Sequence, residues 1–283
     1  MIKLALMEKD TLHVVDLMSI LDNLLLDLLG SLTDEQWHLP TIARKWSVKD
    51  IAAHLLDGNI RGLSQARDGH IAPAPINIQT YGDLVAYLNQ LNHEWVSAAK
   101  RMSPAVIITL LDQTGRAYTN YLKTLNPHAD ALFSVAWAGQ TVSPNWFHIA
   151  REYTEKFLHQ QQIRHAVGQE GLLNPTLYYP FLNTFMLGLP HCFRDVAAPM
   201  NTCVQITIGE DVPWHWYLQK NENSWILTAK PEMEPASKIH IPSDLAWKVF
   251  SKGVTPDDAS KYVLITGNKS LGTQVLHLVA VMA

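Results

Sequence analysis

The chain has 283 residues, of which 47% are apolar and 17% charged, and its formal net charge at pH 7 is −4. This composition supplies enough apolar residues for a sizeable core, argues against disorder, and at this length favours two domains. No run of Lys or Arg forms a stripe that could follow a phosphate backbone, so we expect no nucleic-acid partner.

The N-terminal region predicts neither a secretion signal nor a membrane anchor. The opening segment MIKLALMEKD turns acidic by Glu8 and has no small-residue cleavage site after an apolar core. The apolar run from Leu17 to Leu29 contains Asp22 and Asp27, which would be costly in a bilayer. We therefore interpret this run as part of an amphipathic helix over about residues 10–29, and we expect no membrane partner.

Capping residues mark the second helix. Ser47 and Asp50 form a capping-box pattern before the run VKDIAAHLLDGNIRGLSQAR, and Asp68 and Gly69 provide a stop signal. On this predicted helix His54 and Gly58 lie on the same side. Glycine is unfavourable inside a helix, so its presence indicates that another group approaches the backbone closely beside the imidazole.

Three further helices and a fourth helical segment complete the first two thirds of the chain. A Pro- and Ala-rich loop over residues 71–80 precedes a helix marked by leucines at helical spacing up to Trp95. The pairs Ser103-Pro104 and Ser143-Pro144 each open another helix, because Ser is a good N-cap and Pro fits the first helical position. A further helical segment covers about residues 175–195.

The pattern changes after residue 197. Short segments rich in β-branched and aromatic residues, separated by turn residues, predict strands at CVQITIG, PWHWYLQK, NSWILTA, SKIHIP and Tyr262–Thr266. Two helices accompany them, one capped by Ser243 and one from Ser270 to Ala283. The sequence thus predicts an α-helical bundle domain over residues 1–196, followed by a smaller α+β domain over residues 197–283.

Cysteine usage indicates a reducing compartment. Cys192 and Cys203 are too few for a disulfide framework and are not spaced as a metal-binding pair. We interpret both as reduced structural thiols and expect a cytoplasmic protein.

The helix opened by Pro144 carries metal-capable side chains on one side. At about 100° per residue, His148, Glu152, Glu155 and His159 project within roughly 60° of one another. Buried carboxylates and imidazoles require hydrogen bonds or a metal ion to compensate them. A Glu-x-x-x-His pair alone is weak evidence, because a solvated pair on an exposed face has the same spacing. Polar residues away from this side also predict that the far end of the helix reaches solvent: Lys156, Gln160 and Arg164.

His54 strengthens the metal interpretation. Ligands that project inward from two facing helices of a bundle can meet at one ion. Two imidazoles and one carboxylate suit Zn²⁺ with one coordination position left for water or substrate, and the same set suits Ni²⁺ or Fe²⁺.

Two segments of the chain resemble a known family. KWSVKDIAAHLLDGNIR and REYTEKFLHQQQIRHAVG are similar to the signature segments of the DinB-like metal-binding four-helix superfamily, and within it to the mycothiol-dependent maleylpyruvate isomerases. The end of the chain, from SDLAWKVF onward, is similar to their second domain, which has a sterol-carrier-protein-like α+β fold. The matching residues are Trp46, Ser47, Asp50 and His54 in the first segment, and Glu155, His159, Ile163, Arg164, Ala166 and Gly168 in the second.

The resemblance implies a metal-dependent activity. It implies that His54, Glu155 and His159 hold a divalent ion, and that a low-molecular-weight thiol serves as cosubstrate for isomerisation or S-transfer on a small molecule. In these isomerases a thiolate adds to a conjugated cis double bond, rotation follows, and the thiol leaves. Gln162 departs from the pattern, because family members often carry Asp at this position, and a contact to the ligand or substrate is changed there.

Other interpretations remain open at this level. The same ion can activate water for amide or ester hydrolysis, or the protein can bind metal and ligand without turnover. Three ligands without Cys favour an open, reactive site over a structural one. Arg61 and Arg194 are candidate contacts for a substrate carboxylate, although surface ion pairs are the commoner role of Arg.

The sequence also predicts roles for side chains outside the proposed ligand set. His148 and Glu152 are expected to hydrogen-bond around the site or line a cavity. Trp46 is interpreted as a core anchor and Asp50 as a helix cap. The tryptophans of the β region either line a ligand groove or pack on a sheet face: Trp214, Trp216 and Trp225.

Overall fold

The computed structural model describes residues 13–71, 77–231 and 233–280. The predictions for the opening segment MIKLALMEKD, for residues 72–76 of the predicted loop and for the last three residues of the C-terminal helix fall outside these ranges. By their contacts the described residues form two units. We call them the helical unit, with residues 13–71, 77–134 and 142–172, and the sheet unit, with residues 135–141, 173–231 and 233–280.

The helical unit contains the helices that the capping signals predict. The Ser47 hydroxyl accepts from the Asp50 backbone and the Asp50 carboxylate accepts from the Ser47 backbone, which forms the capping box of the second helix. A π-helical turn, Leu63–Arg67, extends that helix to the predicted stop. Gly168, at φ 69°, ends the last helix in the left-handed conformation that glycine adopts without strain. The helices are α1 Val14–Ser31, α2 Val48–Gly62, α3 Tyr81–Ala99, α4 Pro104–Leu122 and α5 Asn145–Val167.

Four of these helices, α1, α2, α4 and α5, pack against one another, and α3 lies against α2. Their apolar side chains form one buried cluster, which includes Leu25, Leu28, Ile51, Leu56, Ile107 and Leu111. Burying this apolar surface is the main driving force for the bundle.

Helix α5 is buried along most of its length. Its last turn reaches solvent at His165, as predicted, but the three polar residues on which the prediction was based are buried. Lys156, Gln160 and Arg164 are 8%, 0% and 8% exposed. The two charged side chains tolerate burial because each is bonded: Lys156 to a carboxylate, and Arg164 to the backbone oxygens of Leu24 and Glu170.

The sheet unit is built around five strands. They are β1 Cys203–Ile208, β2 Trp214–Lys220, β3 Trp225–Thr228, β4 Ser237–Ile241 and β5 Leu264–Gly267. The strand order is β3-β2-β1-β4-β5, in which β1 and β4 pair parallel and the other neighbours pair antiparallel. The helices are α6 Pro175–Met186, α7 Leu189–Cys192, α8 Ser243–Phe250, α9 Pro256–Ala259 and α10 Lys269–Val275. The structure therefore confirms the predicted fold class, a helical region followed by a small mixed sheet.

Residues 173–196, which the sequence interpretation assigned to the first domain, belong to the sheet unit by their contacts. The Tyr178 hydroxyl donates to the Ser243 carbonyl oxygen at 2.7 Å, and the Trp216 indole donates to Asn183 Oδ1 at 3.0 Å. Trp216 and Trp225 are buried and therefore pack on a sheet face. Among the described residues, no helix is both long enough and apolar enough to cross a membrane.

Candidate metal centre

Three metal-capable side chains meet between α2 and α5. One ligand atom from each of His54, Glu155 and His159 lies within 4.8 Å of the others. The ring centroids of the two imidazoles are 4.6 Å apart, with the ring planes at 75°. The capping box at Ser47 and Asp50 positions His54 in the second turn of α2, while Glu155 and His159 share a face of α5 because they are four residues apart.

Gln162 orients His159. Its amide oxygen Oε1 lies 2.9 Å from His159 Nδ1, and since this oxygen only accepts, Nδ1 carries the proton. In the neutral ring that a metal ligand needs, the lone pair is then on Nε2, which lies 3.3 Å from Glu155 Oε2. At this position, where the family often has Asp, the chain therefore has a neutral amide that accepts the same kind of hydrogen bond.

His54 is held in the neutral form that a metal ligand needs. Burial, followed by the charge of His159, lowers the pKa of His54 to about 3 despite the opposing charge of Glu155. Its buried Nδ1 has no hydrogen-bond partner among the described residues. Burial acts to raise the pKa of Glu155, but the hydrogen bond and charge that His159 supplies in its protonated form, together with the charges of Arg151 and His54, bring this pKa down to about 2.

This donor set fits a divalent ion. It combines an ionised carboxylate, a neutral imidazole with an unpartnered buried nitrogen, and a second imidazole with one nitrogen oriented toward the carboxylate. These are ligand types that Zn²⁺ and similar ions bind in proteins.

Trp46 also belongs to this site. The sequence analysis interpreted it only as a core anchor and missed this second role. Its ring centroid lies 4.7 Å from that of His54 and 5.9 Å from that of His159. Trp46 also packs against the apolar cluster, so the core role is real but incomplete. Its position in the same short sequence segment as His54 could have indicated this role.

Arg151 is a second residue that the sequence interpretation missed. Its guanidinium Nη2 lies 3.0 Å from His148 Nδ1 and 2.5 Å from Glu152 Oε1. The predicted supporting residues His148 and Glu152 thus contact Arg151, whose charge helps to lower the pKa of Glu155. Its position four residues before Glu155, on the same side of α5, could have identified it from the sequence.

Arg61 lies near His54 and is already paired. Its Nε is 2.8 Å from Asp57 Oδ2, with the geometry of an ion pair and not of an aligned hydrogen bond, and its Nη2 is 3.5 Å from Asn92 Oδ1. The charge of Arg61 is one of the causes that lower the pKa of His54. Asp57 neutralises much of the attraction that Arg61 offers to a substrate carboxylate.

Arg194 lies in the sheet unit. It is exposed, pairs with Asp195 at 3.3 Å and donates to the His191 carbonyl oxygen at 2.8 Å. Cys192 and Cys203 are free thiols of the same unit, and burial raises the pKa of each to about 11, so neither is a thiolate at neutral pH.

One expectation about α2 was wrong. Nothing described lies within 4 Å of the place where a Cβ on Gly58 would be, so this glycine does not accommodate a close neighbour. The close approach on α2 occurs one turn later, at Gly62, where a Cβ would lie 2.4 Å from the Tyr118 ring.

The four packed helices and the two-histidine, one-glutamate cluster place the protein in a class of helical proteins with a metal-capable site between helices. Residues 19–164 match the family model described as mycothiol maleylpyruvate isomerase N-terminal domain, and this match covers just over half of the chain. The chain belongs to this family, which confirms the resemblance identified from its two segments.

Solved structures agree at the level of the fold. The crystal structure of the mycothiol-dependent maleylpyruvate isomerase matches with a TM-score of 0.55 and 9% sequence identity, covering 92% of each chain. A histidine-to-alanine mutant of that isomerase matches with the same TM-score and coverage at 8% identity. No curated protein matches the sequence.

Proposed function

We propose that the protein is a divalent-metal-dependent enzyme of the cytoplasm that uses a low-molecular-weight thiol as cosubstrate, with isomerisation or S-transfer on a small molecule as its reaction class. The observation that carries the proposal is the cluster of His54, Glu155 and His159, whose ligand atoms lie within 4.8 Å of one another. Membership of the family, together with the mycothiol dependence of the matched isomerase, supports the choice of a thiol.

His54, Glu155 and His159 would hold the ion, with Zn²⁺ as the first candidate and Ni²⁺ or Fe²⁺ as alternatives. A divalent ion bound there supplies one kind of chemistry, the lowering of the pKa of a bound thiol so that the nucleophilic thiolate is present at neutral pH. Three protein ligands are typical of catalytic sites, whereas structural zinc sites commonly close four.

The surrounding residues prepare the ligands. Gln162 keeps the proton of His159 on Nδ1, so that Nε2 is available. Trp46 places an apolar ring next to both imidazoles. Arg61 remains a candidate contact for a substrate carboxylate beside His54, weakened by its pairing with Asp57, and Arg194 is the corresponding candidate in the sheet unit.

The first test measures metal content. Purified wild-type protein is expected to contain about one divalent ion per chain. The His54→Ala variant should lose the ion while it keeps its helical circular dichroism, and His93→Ala, which replaces an exposed histidine of α3, should retain it. A wild-type protein without metal contradicts the proposal, and one that unfolds when the metal is removed indicates a structural ion.

The second test identifies the thiol. Thermal unfolding of the metal-loaded protein is followed with mycothiol, bacillithiol, glutathione and coenzyme A. A thiol that binds at the ion should raise the Tm of the wild type and of His93→Ala, but not that of His54→Ala. If no thiol raises the Tm of the metal-loaded protein, the thiol-dependent activity is contradicted in favour of hydrolysis or of binding without turnover.

A further inference from the structure

A buried polar network connects all four packed helices of the helical unit. Lys156 Nζ on α5 donates to Asp22 Oδ1 on α1 at 2.6 Å and to Asn59 Oδ1 on α2 at 3.2 Å. From α4, the Thr119 hydroxyl donates to Asp22 Oδ2 at 3.2 Å, and the Thr114 hydroxyl accepts from Asn59 Nδ2 at 3.3 Å. We call these five residues the four-helix network.

Stability alone does not account for this arrangement. Lys156 and Asp22 have side chains that are only 10% and 15% exposed, so both charges lose most of their hydration on folding. Apolar residues of similar volume often stabilise a protein as well as a buried ion pair does, or better. A buried polar pair instead favours the one arrangement of helices in which its hydrogen bonds are formed.

The position of the network relates it to the metal centre. Lys156 follows Glu155 directly and precedes His159 by three residues on α5. Asn59 follows His54 by five residues on α2, which is about 7.5 Å along a helix axis. The bond between Lys156 and Asn59 therefore joins the two ligand-bearing helices within about two turns of every ligand.

The backbone of α4 packs closely around the network. A Cβ on Gly115 would lie 3.2 Å from Asp22 Oδ2 and 3.6 Å from Asn59 Nδ2. Glycine at this position lets α4 approach the polar atoms, and the packing leaves little room for α1 or α2 to shift.

We infer that the four-helix network is a positioning device that fixes α2 against α5, so that His54 stays in place opposite Glu155 and His159. The inference rests on the proposed function, because its purpose is a metal centre at those three residues. The network residues act through the helices and are positioning residues, and none of them is one of the three ligands.

The sharpest variant is Asn59→Leu. Leucine has nearly the same shape as asparagine but cannot bond Lys156 or Thr114, while Lys156 stays paired with Asp22 and the Thr114 hydroxyl still donates to the Leu110 carbonyl oxygen. Zn²⁺ affinity, measured by competition with a chromogenic chelator, is expected to fall about tenfold, as it does when residues supporting metal ligands are removed.

A matched control separates positioning from general loss of stability. Ile107→Ala removes a fully buried side chain from α4 in the apolar cluster without touching the network. It should lower the unfolding midpoint at least as much as Asn59→Leu and leave Zn²⁺ affinity unchanged. If Asn59→Leu does not fold, the double variant Asp22→Leu with Lys156→Met, which removes both charges together, is measured in its place.

The outcomes distinguish this inference from the proposed function. Unchanged Zn²⁺ affinity in the network variant, or an equal loss in Ile107→Ala, overturns the inference. If the wild type binds none of Zn²⁺, Ni²⁺ and Fe²⁺, the proposed function fails, and crystal structures of the metal-free wild type and variant decide the inference. A separation of the His54 and His159 rings that stays at 4.6 Å in the variant overturns it, and a shift of about 1 Å or more supports it.

Discussion

The amide oxygen of Gln162 lies 2.9 Å from Nδ1 of His159, and this contact determines which nitrogen of the imidazole is available on the other side of the ring. The contact spans three residues of one helix, so it depends on the local geometry of α5 and not on a distant partner. An uncharged acceptor orients the ring but makes His159 a weaker electron donor than a carboxylate would.

Gln162→Leu is therefore expected to weaken Zn²⁺ binding by about 10- to 100-fold, because His159 loses its orienting acceptor. Gln162→Glu should bind at least as tightly as the wild type, since a carboxylate accepts the same hydrogen bond and increases the donor strength of Nε2. Both affinities are measured by chelator competition at pH 7. Equal affinities in Gln162→Leu and the wild type would show that the contact has no effect on the metal.

Features that depend on residues close together in the sequence could be predicted, and features that depend on tertiary contacts could not. The start of α2 at Ser47 and its end near Gly69 were predictable because capping and glycine signals act over three or four residues. The pairing of Glu155 with His159 was also predictable from spacing within one helix. The arrival of His54 beside them depends on tertiary packing. The bundle interpretation allowed it, since ligands from two facing helices can meet at one ion, and the family resemblance then implied all three ligands.

The burial of Lys156 was not predictable either, because it also depends on tertiary packing. A lysine on a helix is usually at the surface, and its compensating partner Asp22 lies 134 residues away along the chain. Periodicity reports which side of a helix a residue is on, but not which charged group another helix places there. Trp46 likewise looks like an ordinary core anchor until α5 is packed next to α2.

The pair formed by Lys156 and Asp22 leads to a prediction about stability. Lys156→Met alone leaves the Asp22 carboxylate buried without its counterion, and it should lower the free energy of unfolding by about 3 kcal/mol. Asp22→Leu with Lys156→Met removes both charges and should recover most of that loss. Urea unfolding monitored by circular dichroism measures both values. A double variant as unstable as the single one would contradict the argument that the unpaired charge is the cause.

His148 should make stability depend on pH. Burial, followed by the positive charge of Arg151, lowers the pKa of His148 from 6.5 to about 4. Between these two values the unfolded chain binds a proton that the folded protein does not, so the free energy of unfolding falls as the pH is lowered from 6.5 toward 4.

This histidine contributes a slope of at most about 1.4 kcal/mol per pH unit. His148→Leu should lose that contribution, so the difference in unfolding free energy between variant and wild type should change across this range and level off above pH 6.5. Urea unfolding at half-unit pH intervals provides the comparison. A constant difference from pH 4 to pH 7 would mean that His148 titrates alike in the folded and unfolded chains.

Gly62 and Gly58, one turn apart on α2, should respond oppositely to alanine. A Cβ on Gly62 would lie 2.4 Å from the ring of Tyr118, a buried side chain that cannot move away freely. Gly62→Ala should therefore reduce the free energy of unfolding by about 1–3 kcal/mol, more than offsetting the gain in helix propensity. Gly58→Ala meets open space and should stabilise the protein by up to about 1 kcal/mol. Thermal unfolding of the metal-free proteins measures the pair, and a stabilised Gly62→Ala would show that Tyr118 is packed less tightly against α2 than these contacts require.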